Sequence, residues 1–348
     1  MITVALDAMG SDRGPAATVA GAAAVTAAPG APSVVLVGDE AELSRELARH
    51  PAEARARIRI VHAREVIAQD EKPKEAIDGK PDASILVAAR LVAAGEADVL
   101  VSAGNTGAVT LACARTFTRL PGVARAALGA VYPTERRRGE KDDPFSLILD
   151  AGLTLDVTAD DLVVFAVMGS AYASRISRNA RPRVALLSVG SEPGKGTAAV
   201  CEAHARLAKA AASGASSIDF IGNVEGMDIP RGTADVVITG GFTGNIVLKM
   251  LEGVSDTAMR LARYAGEKSW RYKAGLLLLA PAVRRMRQVT DWEQYGGAPI
   301  LGFDRLCIKA HGRSTERAIA NAIKVAAKTT RTELVATIRQ GLAALHAP

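Results

Sequence analysis

The chain alternates between two hydrophobic periods. Short aliphatic and β-branched runs stand at Ile2 to Leu6, Ser33 to Val37, Ile58 to Val61, Val99 to Ser102, Leu128 to Val131, Ser146 to Asp150, Val184 to Val189, Ile218 to Ile221, Val236 to Thr239 and Leu306 to Lys309. Between them lie longer stretches of helical spacing at Ala16 to Ala27, Glu40 to Arg49, Ser84 to Ala94, Ala159 to Ser177, Ala198 to Ala212 and Thr315 to Leu345. Continuous apolar runs of strand length belong to strands covered on both faces, and strands that alternate with helices pair in parallel. The pattern predicts an α/β fold, a largely parallel sheet covered by helices. No repeat, low-complexity linker or break in composition divides it, so residues 1–348 are read as one domain.

Four strand exits share a second feature. Ile2 to Leu6 leads into Asp7-Ala8-Met9-Gly10-Ser11-Asp12, and Val99 to Ser102 into Ala103-Gly104-Asn105-Thr106-Gly107 and a helix of small residues. The run from Val184 leads into Ser191-Glu192-Pro193-Gly194-Lys195-Gly196-Thr197, and that from Val236 into Gly240-Gly241-Phe242-Thr243-Gly244-Asn245, with helical spacing resuming at Ile246. The first turn of a helix carries unpaired N–H groups and the positive end of the macrodipole, while glycines admit a ligand close to the backbone. Such exits make anion seats. In open parallel sheets ligands bind beyond the carboxyl ends of strands, so the four are expected to converge on one cleft. None has G-x-G-x-x-G or G-x-x-x-x-G-K-[ST] spacing, so the nucleotide motifs are not met.

Composition narrows the class. At 348 residues, 49% hydrophobic and 4% aromatic, the chain can bury a large core rich in alanine and aliphatic residues. A net charge of +6 suits anionic partners, but with no zinc spacing, no RNA-binding aromatic signature and no like-charge block longer than Arg136-Arg137-Arg138, a nucleic-acid partner is not expected. Cys113, Cys201 and Cys307 are odd in number and far apart, which argues against a disulfide framework and for a reducing compartment. Met1 opens directly into a strand with no signal-peptide pattern, so a cytoplasmic location is expected. A basic and apolar helical segment at 262–291 stands apart, with Trp270 and Leu276, Leu277, Leu278 and Leu279 between Arg271 and Lys273 on one side and Arg284, Arg285 and Arg287 on the other. It is too short to span a bilayer. Two readings stand, an interfacial helix on an anionic membrane surface and a helical hairpin buried against the body or a second subunit.

Several segments, taken in order, carry a resemblance. They are Ala5-Leu6-Asp7-Ala8-Met9-Gly10, Ser102-Ala103-Gly104-Asn105-Thr106-Gly107-Ala108, Phe165-Ala166-Val167-Met168-Gly169-Ser170, Gly222-Asn223-Val224-Glu225-Gly226, the Gly-Phe-Thr-Gly-Asn turn ending at Asn245, Tyr295-Gly296-Gly297-Ala298-Pro299 and Ala310-His311-Gly312. As a set they resemble the bacterial phosphate acyltransferase family over nearly the whole chain. That resemblance implies a Rossmann-like fold akin to isopropylmalate dehydrogenases, a homodimer, no metal and no nucleotide cofactor. It implies acyl carrier protein as donor, inorganic phosphate as acceptor, and peripheral contact with the membrane where the acyl phosphate enters phospholipid synthesis. Substrate-binding roles are expected for Asp7, Gly10, Asn105, Thr106, Gly107, Asn223, Glu225, Gly241, Thr243 and Gly244, and, from the residue types of its turn alone, for the backbone of Gly194 and Gly196 beside Lys195. The chain departs from the family pattern at Gly240, where an aspartate usually stands, at Leu153-Thr154, where Ala-Asn is usual, and at Ser11, where glycine is usual. Those departures leave two alternatives, a homologue that acylates a different acceptor and a non-catalytic, membrane-associated acyl-binding protein.

Attack of phosphate on a thioester needs a seat for the anion, donors for the developing oxyanion and a channel for the acyl chain. No side-chain nucleophile is required. Lys195 is assigned to phosphate or oxyanion charge, against the reading of a solvated loop lysine. Asn105, Thr106 and Asn245 are donors to phosphate or to the thioester carbonyl, or caps of the helices they precede. His311 protonates the leaving thiolate or hydrogen-bonds its turn. For Asp7 and Asp12 turn formation is the simpler role. Arg136 to Arg138 and Arg284 to Arg287 are solvated faces or a steering field for acidic acyl carrier protein.

Overall fold

The computed structural model describes residues 1–138, 143–213, 218–267, 271–275, 277–281 and 296–345. The first half holds β1 (Thr3–Asp7), α1 (Gly14–Thr26), β2 (Ser33–Gly38), α2 (Glu40–Leu47), α3 (Ala52–Arg55), β3 (Ile58–His62), α4 (Pro73–Gly79), α5 (Ser84–Ala93), β4 (Val99–Ser102), α6 (Thr106–Thr116), β5 (Ala127–Arg138) and β6 (Asp143–Leu149). There follow α7 (Ala159–Ile176), β7 (Arg183–Leu187), α8 (Ala198–Ala212), β8 (Asp219–Val224), α9 (Asp228–Arg231), β9 (Val236–Ile238), α10 (Gly241–Glu267), β10 (Ala298–Leu301), β11 (Leu306–Lys309), α11 (Glu316–Thr330) and α12 (Leu334–Leu345).

Eleven strands form one sheet in the order β3-β2-β1-β4-β11-β10-β5-β6-β9-β7-β8. Most pairings are parallel, as the alternation of elements predicts. Three are antiparallel, β11 with β10, β10 with β5, and β5 with β6. Three reversals set the two halves against each other, so β3, β2, β1, β4 and β11 run one way and β6, β9, β7 and β8 the other. The glycine exits therefore do not all point the same way. Those of β1, β4 and β11 leave their strands in one direction and those of β7 and β9 in the other, and the β4, β11 and β9 exits still meet beside the central strands, where Thr106, Lys309 and Asn245 share one cavity.

Alternate side chains of each strand enter opposite layers. Val4, Leu6, Val99, Val101, Leu147, Leu149, Val184 and Leu186 join α1, α7, α11 and α12 in one continuous core. On the other face the cover is split. Ala5, Val35, Val37 and Leu100 pack with α5 and α6, while Ile148, Ala185 and Val237 pack under Val247, Leu248 and Leu251 of α10. Between those two helical covers β10 and β5 are left open, and that gap positions the site.

Local chemistry sets the element ends. The N-cap Thr158 of α7 accepts from the Asp161 N–H at 3.2 Å and donates its own N–H to the Asp161 carboxylate at 3.0 Å, a closed capping box. Phe165 is fully buried in that helix, so Phe165→Ala costs about 3–5 kcal/mol. The long helix expected over Thr315 to Leu345 is two, broken after Thr330, with Glu333 at φ +53° in the left-handed region. α10 starts at Gly241 rather than Ile246 and runs for 27 residues, so Gly241, Thr243, Gly244 and Asn245 belong to its opening turns.

Candidate active site

A cavity of about 440 Å³ occupies the gap. β5 and β10 supply Leu128, Ala130, Val131 and Ala298, α10 supplies Asn245, Leu248, Lys249 and Glu252, and the β4 and β11 exits supply Thr106, Lys309, Ala310, His311 and Ser314. Two buried carboxylates anchor the turns around it. Asp7 accepts hydrogen bonds from Ser84 Oγ at 2.7 Å and Ser102 Oγ at 2.6 Å. A Cβ on Gly10 would meet Gly104 Cα at 2.8 Å, and Gln69 Nε2 donates at 2.8 Å to the carbonyls of both Gly10 and Ala103. The β1 and β4 exits are thus locked together, and Ser11 Oγ reaches the Gly312 carbonyl of the β11 exit at 3.2 Å.

Asp150 does the same for the other half. Its Oδ1 accepts from the N–H groups of Leu128, Gly152 and Leu153 at 3.1, 3.1 and 3.0 Å, and its Oδ2 from that of Thr154 at 2.7 Å. A Cβ on Gly241 would lie 2.8 Å from the Leu153 and Thr154 nitrogens, and one on Gly244 would run into the Asp150 carbonyl. Glycine at both positions lets α10 start against this loop, which sets Asn245 beside Gly152 at the cavity wall. Burial raises the pKa of both Asp7 and Asp150, against hydrogen bonds that lower it.

Lys309 is the buried charge of the site, beside the exposed Lys249 and Glu252. It ends β11 at 6% exposure and lines the cavity, and its ammonium donates to the Ala310 carbonyl. Burial pulls its pKa down to about 8, against attraction from Cys307, Asp7 and Asp12. His311 is half-buried, and its pKa is lowered by burial first and then by the positive charges of Lys249, Arg313 and Lys309. Its Nδ1 accepts from the Arg313 N–H at 3.3 Å, which leaves the proton of the neutral ring on Nε2. Glu252, also on the cavity wall and paired with Lys249 at 2.9 Å, works in the opposite sense, so the charge that suits this cavity to an anion is chiefly the buried ammonium of Lys309.

The other residues expected at the site fall outside the cavity wall. Asn105 caps α6 through the Ala108 N–H at 3.2 Å and donates to the Gln69 and Glu71 carbonyls at 2.8 and 3.2 Å, so its amide is a clamp. A Cβ on Gly107 would meet Pro73 Cγ at 2.5 Å, so glycine here admits α4. Gly194, Lys195 and Gly196 form an exposed loop after β7, the sheet neighbour of β9, tied down by Ser188 Oγ to the Lys195 carbonyl at 2.8 Å. Asn223 supports that loop by donating to the Glu192 carbonyl at 2.9 Å while its Oδ1 meets His204 Nδ1 at 2.9 Å. The N–H of Glu225 donates to Asp228 Oδ2 at 3.0 Å, and Thr243 is exposed on α10. Trp270, Leu276, Arg284, Arg285 and Arg287 lie outside the described residues; Leu277, Leu278 and Leu279 are exposed. Among the described residues no helix is long and apolar enough to cross a membrane. Lys309, Asp150 and Ser314 were not singled out in the sequence. A lysine closing the otherwise apolar strand Leu-Cys-Ile-Lys was the available signal for the first.

Solved structures share this architecture. A phosphotransacetylase from Streptococcus pyogenes superposes with a TM-score of 0.60 at 17% identity, covering 95% of this chain and 94% of its own. A 4-hydroxythreonine-4-phosphate dehydrogenase from Klebsiella pneumoniae gives 0.52 at 16% identity, covering 95% and 100%. At such identities the likeness is one of fold. Among curated proteins, phosphate acyltransferase of Myxococcus xanthus is 43% identical over 92% of this chain and 88% of its own length, and that of Pelotomaculum thermopropionicum 38% identical over 99% and 96%. The model of the family described as Fatty acid synthesis protein matches residues 2–337. On that match and those identities the chain belongs to the Fatty acid synthesis protein family and is an acyltransferase.

Proposed function

We propose that the protein transfers a fatty acyl group from acyl carrier protein to inorganic phosphate, giving an acyl phosphate for phospholipid synthesis. The observation that carries this is Lys309, a buried cation lining a cavity that also holds His311, Thr106 and Asn245. Phosphate bound by Lys309 attacks the thioester carbonyl, the C–O bond forms and the C–S bond breaks. The Lys309 ammonium, with a pKa of about 8 against about 8.5 for an ordinary thiol, hands a proton to the departing thiolate and recovers one from the phosphoryl oxygen. Hydrogen phosphate and thioester thus become acyl phosphate dianion and free thiol, with no proton gained or lost. His311 Nε2–H, Thr106 and Asn245 donate to the oxyanion.

The acyl chain follows the apolar strip of Leu128 and Ala130 on β5, half-buried where a central strand is ordinarily covered, with Leu248 of α10 beside them. Lys195, on the exit next to that of β9, supplies a second positive charge to the incoming donor. The missing carboxylate at Gly240 is tolerated because phosphate near neutral pH is already substantially dianionic and needs no strong base. Gly240 is moreover packed, its would-be Cβ 2.9 Å from Val157. Hydroxylamine trapping of acyl phosphate is the test. Lys309→Met and Lys195→Ala should each lower it at least tenfold, and full activity in Lys309→Met removes the reading.

We also place the protein on anionic membranes as a homodimer. The exposed Leu277, Leu278 and Leu279 and the row Phe242, Ile246, Met250 and Val254 on α10 support this. Leu277→Glu with Leu278→Glu should release it from anionic liposomes without changing trapping in solution.

A further inference from the structure

We infer that the N-terminus of α11 is the seat of a phosphate-type oxyanion, with Ser314 Oγ and Lys309 Nζ as its side-chain donors. This deepens the acyl-transfer reading above and rests on it for the identity of the anion. Three observations meet here. Ser314 is fully buried, lines the cavity and has no hydrogen-bond partner for its Oγ among the described residues. A buried hydroxyl left unpaired costs about 1–3 kcal/mol, which a protein retains where a ligand satisfies it. Ser314 stands immediately before Thr315, the N-cap of a 15-residue helix, and Ala318 of that helix's first turn also lines the cavity. The first turn brings the positive end of the helix dipole to this wall, while the Ala318 N–H is held by Thr315 Oγ1 at 3.4 Å. Lys309, five residues earlier and buried, brings a full charge to the same wall.

The chemistry selects the ligand class. A hydroxyl donor, a helix N-terminus and a buried ammonium suit a compact oxyanion with several acceptor oxygens, which inorganic phosphate and the phosphate of a donor's prosthetic arm both present. The inference commits to the site and the oxyanion, and the two sources are separated by experiment.

The variants are Ser314→Ala and Ser314→Thr, and the measurements are the KM values for phosphate and acyl donor, kcat, and the thermal midpoint with and without inorganic phosphate. Ser314→Ala should raise the phosphate KM about tenfold, the loss of one hydrogen bond to a charged group, and abolish most of the rise in midpoint that phosphate gives the wild type. Its midpoint without phosphate should be unchanged or higher, because the substitution removes an unsatisfied group. Ser314→Thr keeps the hydroxyl and should recover part of the phosphate KM. A tenfold rise in donor KM with an unchanged phosphate KM assigns the seat to the donor's phosphate. Unchanged KM values for both, or a lower midpoint with no change in phosphate stabilisation, overturn the seat. If the wild type forms no acyl phosphate yet gains a phosphate-dependent midpoint that Ser314→Ala loses, the seat stands and the acyl-transfer reading falls.

Discussion

Replacing Lys309 by Met should make the protein more stable and less active. Lys309 is 6% exposed, and burial moves its pKa from 10.5 to about 8. A shift of that size corresponds to a burial cost on the order of 3 kcal/mol in the charged state. Methionine fills a similar volume with no charge to desolvate. The attraction of Asp7 and Asp12 is already contained in that net shift, and part of the gain is lost because the Ala310 carbonyl gives up its donor, so the net effect should be on the order of 1–3 kcal/mol in favour of the variant. The sign against pH follows from proton counts. Between about pH 8 and 10.5 the unfolded lysine still holds its proton while the folded one has released it, so the wild type gains stability across that window. Below pH 8 the whole cost is present.

Urea unfolding without phosphate, read at pH 7 and repeated upward, is the assay. Lys309→Met should be the more stable at pH 7, and the difference should shrink through the window above pH 8 and level off near pH 10.5. Phosphate should stabilise the wild type in proportion to its occupancy and leave the variant nearly unchanged. A variant that is less stable at pH 7 and still responds fully to phosphate would refute a buried, anion-holding lysine.

The rate of acyl phosphate formation at subsaturating phosphate should rise through the second ionisation of phosphate and fall above about pH 8 as Lys309 loses its proton, and a plateau continuing well beyond pH 9 in initial-rate measurements contradicts the assignment. Asp150→Asn turns an acceptor of four backbone N–H groups into a group with one donor end, and should cost about 3 kcal/mol in urea unfolding while lowering turnover by disturbing the Asn245 turn. Ala130→Phe should fill the strip on β5 and flatten the gain of about fourfold in kcat/KM per added methylene that a buried acyl chain confers on the wild type, as read with donors of increasing length.

How much of this was legible in the sequence depends on what each residue's neighbours encode. Strands such as Val34 to Val37 and Val99 to Ser102 declare themselves because both faces are buried, so every position is apolar or small. β10 stays hidden because Ala298 and Pro299 open it, and proline reads as a break even though here it sits in a short strand between two antiparallel partners. The direction of a strand leaves no local trace. Nothing in residues 127–149 or 298–309 marks the reversals at β10, β5 and β6, so the pattern alone places all exits on one edge, whereas those of the two halves point opposite ways and only some, through Thr106, Lys309 and Asn245, reach one cavity. The loop glycines likewise serve packing more than ligand contact. Most of the glycines at Gly10, Gly107, Gly241 and Gly244 are where backbones touch, and they build the walls; the charge and the unpaired hydroxyl come from Lys309 and Ser314, at a strand's last residue and a helix's threshold. Opposed halves send α6 and α10 away from each other, which leaves the central strands uncovered on one face. A fold of this kind creates its cavity at the reversal, and the residues that can reach it are those that end β11 and begin α10 and α11.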